Sequence, residues 1–212
     1  MKLLHLIIAE SALEVKKIGN RLEVLDRSRH HSILQKMPNS HKRGRPDIVY
    51  LTLQVTQYTP LNAAGLLRTY VHTLDNHVLI IEPETRIPHN YINFLGLIRQ
   101  LYEIGKVPPQ GKPLIILKKC SIEQLVKELK PSNVILLDDI KGRESTFRDV
   151  IELIVNEENP CVIIGGFPHG SFSEETYRVA NDVIKIGKYR YNTFMICAKL
   201  LTYLEQRLGI ET

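Results

Sequence analysis

Three segments in the C-terminal half of the chain carry residues that could bind a small molecule. The glycine-rich segment 165–170 directly follows an apolar run, and glycine lets a backbone turn sharply and approach a ligand closely. Segments 136–138 and 186–191 also end apolar runs. The glycine segment lacks the G-x-G-x-x-G pattern of dinucleotide-binding folds, because its third residue is Phe167. Its spacing alone is compatible with a ligand loop or with a tight turn.

Cations concentrate in the N-terminal part of the chain. Residues 16–45 contain nine basic and two acidic residues, a net charge of +7, whereas the whole chain carries +5 and the remainder therefore −2. Such a block is typical of a protein that binds a polyanion, although a solvated surface is the alternative. It ends in Lys42, Arg43 and Arg45 on a loop containing Gly and Pro, where three cations could follow a phosphate backbone.

A third polar group lies at the start of a predicted helix near Pro88. His89 and Asn93 are four residues apart and would share one face of that helix, and Arg86 immediately precedes it. The N-terminus of a helix is electropositive and can bind a phosphate. An ordinary solvated helix start is the alternative.

The composition excludes several classes of protein. The chain has 212 residues, of which 43% are hydrophobic and 24% charged, as expected for one folded domain. Its three cysteines are far apart, with no C-x-x-C or Cys/His cluster, so neither a disulfide framework nor a metal site is expected. No apolar run approaches the roughly 18 residues that a membrane span needs. These features predict a protein of the reducing cytoplasm.

Short apolar strands alternate with helices from residue 114 to the C-terminus. This alternation predicts an α/β fold whose parallel sheet is covered by helices on both faces. Such sheets bind ligands outside the carboxyl ends of their strands. The segments 136–138, 165–170 and 186–191 are therefore expected to lie at one edge of the sheet.

The first half of the chain has a less regular pattern. Residues 2–9 form an apolar run that predicts a buried first strand, and residues 75–76 predict the turn of a β-hairpin. The spacing of Ser and Glu in 11–14 predicts a capping box that opens a short helix. Alternating apolar residues in 48–55 predict another strand.

Several motifs, taken in order, resemble the ribosomal small-subunit RNA pseudouridine-N1 methyltransferases of the SPOUT superfamily. The resemblance covers nearly the whole chain, and the ordered set is specific although no single motif is. The motifs are RPDI at 45–48, TPLNAAGL at 59–66, RIP at 86–88 with Phe94, IGGFPHG at 164–170, and the C-terminal Tyr189, Cys197 and Lys199.

The resemblance implies a fold and a set of partners. We expect one domain over 1–212, with a SPOUT-type trefoil-knotted parallel sheet flanked by helices. A basic RNA-binding loop would span 16–47, and a hairpin and helix extension about 59–105. The family also implies a cytoplasmic homodimer that acts on small-subunit rRNA or a pre-ribosomal particle, with no DNA, membrane or metal.

The resemblance further implies which residues bind the methyl donor, S-adenosyl-L-methionine. Three loops around the knot would clamp it. The donor-binding residues implied by position are Leu136, Gly165, Gly170, Ile186, Gly187, Lys188, Tyr189, Arg190 and Tyr191.

On the RNA side, the family implies roles for basic and polar residues. The implied catalytic residues are Arg45, which would act on the target base, and Asp47, which would hold Arg45 in place. The general base stays open between Asp47 and a water. For Asp47 the alternative is an ordinary turn residue after Pro46. His89 and Asn93 depart from the family pattern, where arginine is frequent. The implied RNA-binding residues are Lys42, Arg43, Arg45, Arg86, His89 and Asn93.

The implied activity is methylation of N1 of a pseudouridine in small-subunit rRNA, linked to ribosome biogenesis. Two alternatives stay open at this point. One is an RNA-binding ribosome-assembly factor with incidental or no catalysis, and the other is a knotted methyltransferase for another RNA.

Overall fold

The structure is a computed structural model that describes residues 1–210. In this range the chain forms a nine-stranded sheet, a separate two-stranded hairpin and eight helices. The strands are β1 Leu4–Ser11, β2 Val15–Ile18, β3 Arg21–Val24, β4 Leu67–Thr73, β5 His77–Ile81, β6 Lys106–Val107, β7 Ile115–Lys119, β8 Asn133–Leu137, β9 Arg143–Ser145, β10 Pro160–Gly165 and β11 Asp182–Ile186. The helices are α1 Arg27–Leu34, α2 Pro46–Thr56, α3 Pro60–Ala63, α4 Tyr91–Ile104, α5 Ile122–Leu129, α6 Phe147–Val155, α7 Glu174–Arg178 and α8 Thr193–Leu208, with a 3₁₀ turn at Ser40–Lys42.

The large sheet has the order β6-β7-β5-β4-β1-β10-β8-β11-β9. Its six strands from β4 to β9 in this order pair in parallel, and β5, β7 and β6 extend it with antiparallel pairing. The strands β1, β10 and β8 form the centre, where Ile7 faces Ile163 and Ile163 faces Leu136 in register. The predicted α/β fold with a parallel sheet is confirmed, whereas the trefoil knot stays a prediction.

Helices cover both faces of the sheet, which explains why the central strands are apolar throughout. Alternate residues of β10 belong to two different cores. Val162 and Ile164 pack with α6 and α8, whereas Cys161 and Ile163 pack with α5 on the other face. A third core, around Phe94, joins α2 and α4 to β4 and β5. The carboxyl ends of the parallel strands are thereby held at one edge.

The prediction that residues 11–14 open a short helix is wrong. Ser11 ends β1, and its hydroxyl donates to Ile8 O at 2.8 Å rather than capping a helix. The Glu14 carboxylate accepts a hydrogen bond from Gly44 N at 3.0 Å. Because both side chains have other partners, no capping box forms, and the chain enters the β2–β3 hairpin.

The predicted strand at 48–55 is also wrong, because these residues belong to α2. Pro46 occupies the first turn, where a missing N–H costs nothing, and Thr52 Oγ1 donates to Ile48 O at 2.7 Å. Val49 and Leu53, four residues apart, pack into the core around Phe94. Tertiary burial of one helical face therefore outweighs the β-propensity of the Thr and Val residues.

The hairpin predicted at residues 75–76 is confirmed by β4 and β5. The next helix begins at Tyr91 rather than near Pro88, because Asn90 caps it and accepts from Ile92 N at 2.9 Å. His89 therefore precedes the helix. No helix within residues 1–210 is long and apolar enough to cross a membrane.

Candidate active site

The three segments singled out from the sequence meet in one cleft. It lies beyond the carboxyl ends of β8, β10 and β11 and has a volume of about 370 Å³. Loops following parallel strands converge at such an edge, as the sequence predicted. The lining residues are Leu137, Asp138, Asp139, Ile140, Ile164, Gly165, Phe167, Pro168, His169, Gly170, Phe172, Ile184, Ile186, Tyr189, Arg190, Tyr191, Thr193 and Ile196.

Six of the nine residues expected to bind the donor line this cleft, and three do not. Leu136 is fully buried on the opposite face of the sheet, and Leu137 lines the cleft instead. Side chains alternate along a strand, so a shift of one residue exchanges the two faces. Gly187 and Lys188 are also absent from the lining. The six are Gly165, Gly170, Ile186, Tyr189, Arg190 and Tyr191.

The turn after β8 contains functional candidates that the sequence reading passed over. Asp138 is buried and accepts hydrogen bonds from Ile140 N and Lys141 N, both at 3.1 Å, and from Tyr177 Oη at 2.6 Å. Burial, together with the Asp138 carboxylate, raises the pKa of Tyr177. A Cβ at Gly142 would collide with the backbone of Asp138 and of β11. The Asp-Asp-x-x-Gly pattern directly after an apolar strand was the available signal.

The chemistry of the cleft suits a nucleoside that carries charged groups of both signs. Leu137, Ile164 and Ile196 supply apolar wall for a ring system, and the exposed backbone at a glycine loop can recognise polar edges. Asp138 and Asp139 line the same cleft, as does Arg190, whose Nε lies 3.1 Å from Asp139 Oδ2, so charges of both signs border the space. The residues present therefore fit S-adenosylmethionine, which carries positive sulfonium and amino groups and a negative carboxylate.

A fixed guanidinium lies at the start of α2. Arg45 Nε and Nη2 donate to Asp47 Oδ1 and Oδ2, both at 2.8 Å, in a bidentate pair. This hydrogen bonding raises the pKa of Arg45. About two fifths of the Arg45 side chain is exposed, so the group is oriented yet accessible. Asp47 therefore fixes the Arg45 guanidinium, as expected.

Lys42 and Arg43 lie elsewhere than expected, because both are buried in ion pairs. Lys42 Nζ is 2.7 Å from Glu10 Oε2, and Arg43 Nη1 is 3.3 Å from Glu14 Oε1 and 2.9 Å from Asp75 Oδ1. The expectation that these cations contact phosphate disagrees with this placement. A charge in low dielectric needs a counter-charge, and these two have theirs inside the protein.

Arg86, His89 and Asn93 are exposed around the start of α4. His89 Nδ1 is 3.2 Å from Gln54 Oε1, and its ring stacks on Tyr58 with centroids 5.3 Å apart. Since His89 precedes the helix, it does not share a helical face with Asn93. The three side chains still border one surface.

That surface continues to Arg45. Tyr91 Oη, in the first turn of α4, donates to Asp26 Oδ2 at 3.0 Å, and both Asp26 and Tyr91 lie close enough to Arg45 to raise its pKa. Arg29 of α1 borders a shallow pocket with Ile92 and Arg99 of α4. The starts of α1, α2 and α4 thus form one polar face.

Comparison with known proteins identifies the family. Residues 6–205 match the family described as EMG1/NEP1 methyltransferase. This chain belongs to that family. The expected family of small-subunit rRNA methyltransferases is thereby confirmed.

Relatives of the EMG1/NEP1 family match over nearly full length. A protein from Pyrobaculum arsenaticum named "Ribosomal RNA small subunit methyltransferase Nep1" is 40% identical over 206 residues, covering 96% of this chain and 90% of that protein. A protein of the same name from Thermococcus kodakarensis is 34% identical, covering 98% and 100%.

A solved structure of an EMG1/NEP1 relative also matches. The crystal structure of Archaeoglobus fulgidus Nep1 bound to S-adenosylhomocysteine aligns with a TM-score of 0.77 and 27% identity, covering 98% of this chain and 99% of that one. The shared fold extends over both the cleft and the polar face. Within residues 1–210, no group of three or more His, Cys, Asp or Glu side chains could hold a metal ion.

Proposed function

We propose that this protein transfers a methyl group from S-adenosylmethionine to N1 of a pseudouridine in small-subunit ribosomal RNA. The observation that carries the proposal is the single cleft formed by the three strand-end loops, in a chain of the EMG1/NEP1 family. The Archaeoglobus relative, whose structure contains S-adenosylhomocysteine, supports the donor. The names of the Pyrobaculum and Thermococcus relatives support the RNA.

The bound donor supplies an electrophilic methyl group on its sulfonium. The cleft residues would hold this ligand, with Gly165 and Gly170 giving backbone access and Ile186 and Tyr191 giving apolar contact. Holding a nucleophile in line with such a methyl group is worth about 7–11 kcal/mol. Orientation is therefore the main task of this chain's residues.

Arg45 is the residue we assign to the target base. Its guanidinium can stabilise negative charge on the base carbonyls as the N1 proton passes to a water molecule. Both Asp47 oxygens accept from Arg45, so we assign Asp47 to fixing the guanidinium. Pseudouridine has a free N1–H, whereas N1 of uridine is bonded to the sugar, so the chemistry selects pseudouridine.

The RNA backbone is proposed to contact exposed cations of the N-terminal half. Within residues 1–210, several exposed basic side chains of β2, β3, α1, the turn after α1 and the loop before α4 have no carboxylate partner, in contrast to pairs such as Lys118–Glu128 and Arg207–Glu152. Free cations bind phosphate without first breaking an ion pair. This set comprises Lys16, Lys17, Arg21, Arg29, Lys36 and Arg86.

The proposal includes an assembly and a location. We infer a homodimer and a single domain over 1–212, with the RNA-binding segment at 16–47 and the hairpin and helix extension at about 59–105. A ribosomal RNA substrate implies a cytoplasmic enzyme that acts on rRNA or on a pre-ribosomal particle.

Methyl transfer to a pair of synthetic RNAs tests the function. The two oligomers have the same small-subunit sequence and differ only in pseudouridine or uridine at one position. We expect transfer from S-adenosylmethionine to the first oligomer alone, with one methyl group added at that position.

Other outcomes point to the alternatives. Equal transfer to both oligomers would contradict N1 specificity and favour another methylation site. Tight RNA binding without transfer to either would favour an assembly factor. Donor binding abolished by a metal chelator would contradict the metal-free cleft.

A further inference from the structure

A buried ion pair joins the loop that carries Arg45 to the loop that lines the donor cleft. Lys42 Nζ lies 2.7 Å from Glu10 Oε2, and both side chains are less than a tenth exposed. The other oxygen of Glu10 accepts from Ser173 N at 2.7 Å and from Thr176 Oγ1 at 2.8 Å. One carboxylate at the end of β1 thus connects the 3₁₀ turn to the start of α7.

Lys42 also contacts the cleft wall directly. Its Nζ lies 4.3 Å from the centre of the Phe167 ring, which is a cation–π distance. A Cβ on Gly170 would lie 3.2 Å from Lys42 Cε and 3.1 Å from His41 Nε2, so the two loops are in close contact. Since Phe167 and Gly170 line the cleft, displacement of Lys42 would disturb the wall that holds the donor.

Backbone hydrogen bonds make a second connection between the same two regions. Ala12 N donates to Gly166 O at 2.9 Å, and Arg45 N donates to Ala12 O at 3.1 Å. Only one residue therefore separates the glycine loop from the backbone of Arg45. A displacement of the glycine loop can therefore reach the backbone of Arg45 through Ala12.

We propose that Lys42 is a positioning residue that couples donor binding to RNA binding through its buried ion pair with Glu10. The inference rests on the proposed function, because it concerns the same two substrates. A donor that orders its loop also stabilises the loop that places Arg45. Reciprocity then requires that RNA raise donor affinity by the same factor. If Lys42 bound phosphate instead, its substitution would change RNA affinity and leave the coupling between donor and RNA unchanged.

The test measures RNA affinity with and without S-adenosylhomocysteine in the wild-type protein and in Lys42→Met. The probe is the pseudouridine-containing oligomer. We expect S-adenosylhomocysteine to raise RNA affinity about 5–10-fold in the wild type, and this factor to fall at least about twofold in Lys42→Met, in which only the backbone connection remains. Loss of stability alone would leave the factor unchanged in the folded fraction.

A matched control is Lys36→Met. Lys36 is exposed and has no carboxylate partner within residues 1–210. We expect this variant to bind RNA more weakly through the loss of one phosphate contact, and to keep the wild-type coupling factor. If the coupling factor fell in Lys36→Met as well, the buried Lys42–Glu10 pair would not be the source of the coupling.

A second variant covers the case in which Lys42→Met fails to fold. Glu10→Gln combined with Lys42→Met removes both charges, so that no unpaired carboxylate remains buried. We expect this double variant to fold and to show the same reduced coupling factor as Lys42→Met. A folded double variant with the wild-type factor would overturn the inference, as would a wild-type factor of 1. A wild type without donor binding or methyl transfer would contradict the proposed function instead.

Discussion

The donor cleft and the basic loop are two neighbouring regions built on different physical principles. The cleft is made of loops that follow fully apolar strands, and its shape depends on backbone turns at residues such as Gly165 and Gly170. The end of the basic loop, at Lys42 and Arg43, is held by buried charges, with Lys42 paired to Glu10 and Arg43 to Glu14. Strand order therefore determines the first region, and specific ion pairs determine the second.

The difference shows that charge in a sequence is not the same as charge at a surface. Lys42 and Arg43 look equivalent to Arg45 along the chain, yet only Arg45 of the three is accessible in the structure. Because burying a cation requires a partner, the acids at the end of β1 and just beyond it select which cations go inside. The exposed cations then lie on other elements, such as Arg29 on α1.

The largest expected effect is on the cleft, in Gly170→Val. Gly170 has φ +104°, a conformation that valine does not readily adopt, and a Cβ there would meet His41 and Lys42. We expect affinity for S-adenosylmethionine to fall about 100-fold or more, measured by calorimetry.

Gly111→Val is the matched control for that substitution. Gly111 also has a positive φ, +80°, but no atom lies within 4 Å of its added Cβ. We expect lower stability with unchanged donor affinity. Full donor binding in Gly170→Val would contradict the assignment of the cleft.

Arg45→Lys should produce the next largest effect, on catalysis alone. Lysine keeps the charge but cannot make the two parallel bonds to Asp47. We expect kcat for methyl transfer to fall about 100-fold, as for loss of an oriented charge stabiliser. Affinity for S-adenosylhomocysteine, measured in parallel, should stay unchanged, and a kcat within twofold of the wild type would remove Arg45 from the mechanism.

A smaller effect separates exposed from buried cations. In Arg29→Ala, we expect RNA affinity to fall and the slope of log K against log salt to decrease by about 1, because one phosphate contact is lost. In Arg43→Met, measured at pH 8 where Glu14 is ionised, the slope should stay unchanged while the free energy of unfolding falls by about 3 kcal/mol, because the Glu14 carboxylate stays buried without its partner. Salt titrations and thermal unfolding check both. The reverse pattern would restore Arg43 to the RNA surface.

The smallest expected effect is a pH dependence of stability that originates at Glu14. Burial raises the pKa of this carboxyl from 4.5 to about 7, against the opposing influence of Gly44 N–H and Arg43. The folded state then holds a proton between pH 4.5 and 7 that the unfolded state has released. The stabilisation that protonated Glu14 gives the folded state is therefore fully present below pH 4.5 and is lost as the pH rises to about 7.

Glu14→Gln measures this contribution. We expect the unfolding free energy of the wild type, relative to this variant, to fall by roughly 1–3 kcal/mol between pH 4.5 and 7. Chemical denaturation at several pH values gives the difference. A difference independent of pH would show that Glu14 is ionised throughout.

The sequence predicted elements that are buried on both faces correctly, and it failed for an element that is buried on one face. The parallel strands of the second half were predicted because their apolar runs bury on both faces whatever else surrounds them. The helix α2 was mistaken for a strand, because burial of Val49 and Leu53 on one helical face is not visible in a short apolar run. Leu136 was assigned to the cleft in place of Leu137 because the end of a strand, and thus the face of its last residue, is the least certain feature of a pattern.

The sequence by itself determined the alternation of strands and helices, the convergence of three loops at one sheet edge, and the family. These follow from local patterns of apolar residues and from ordered motifs. The tertiary structure alone decided which cations are free. Lys42 and Glu10 are 32 residues apart along the chain, and Arg43 and Glu14 are 29 apart. Such pairing depends on distance in space and on burial, and neither is encoded in the spacing of residues along the chain.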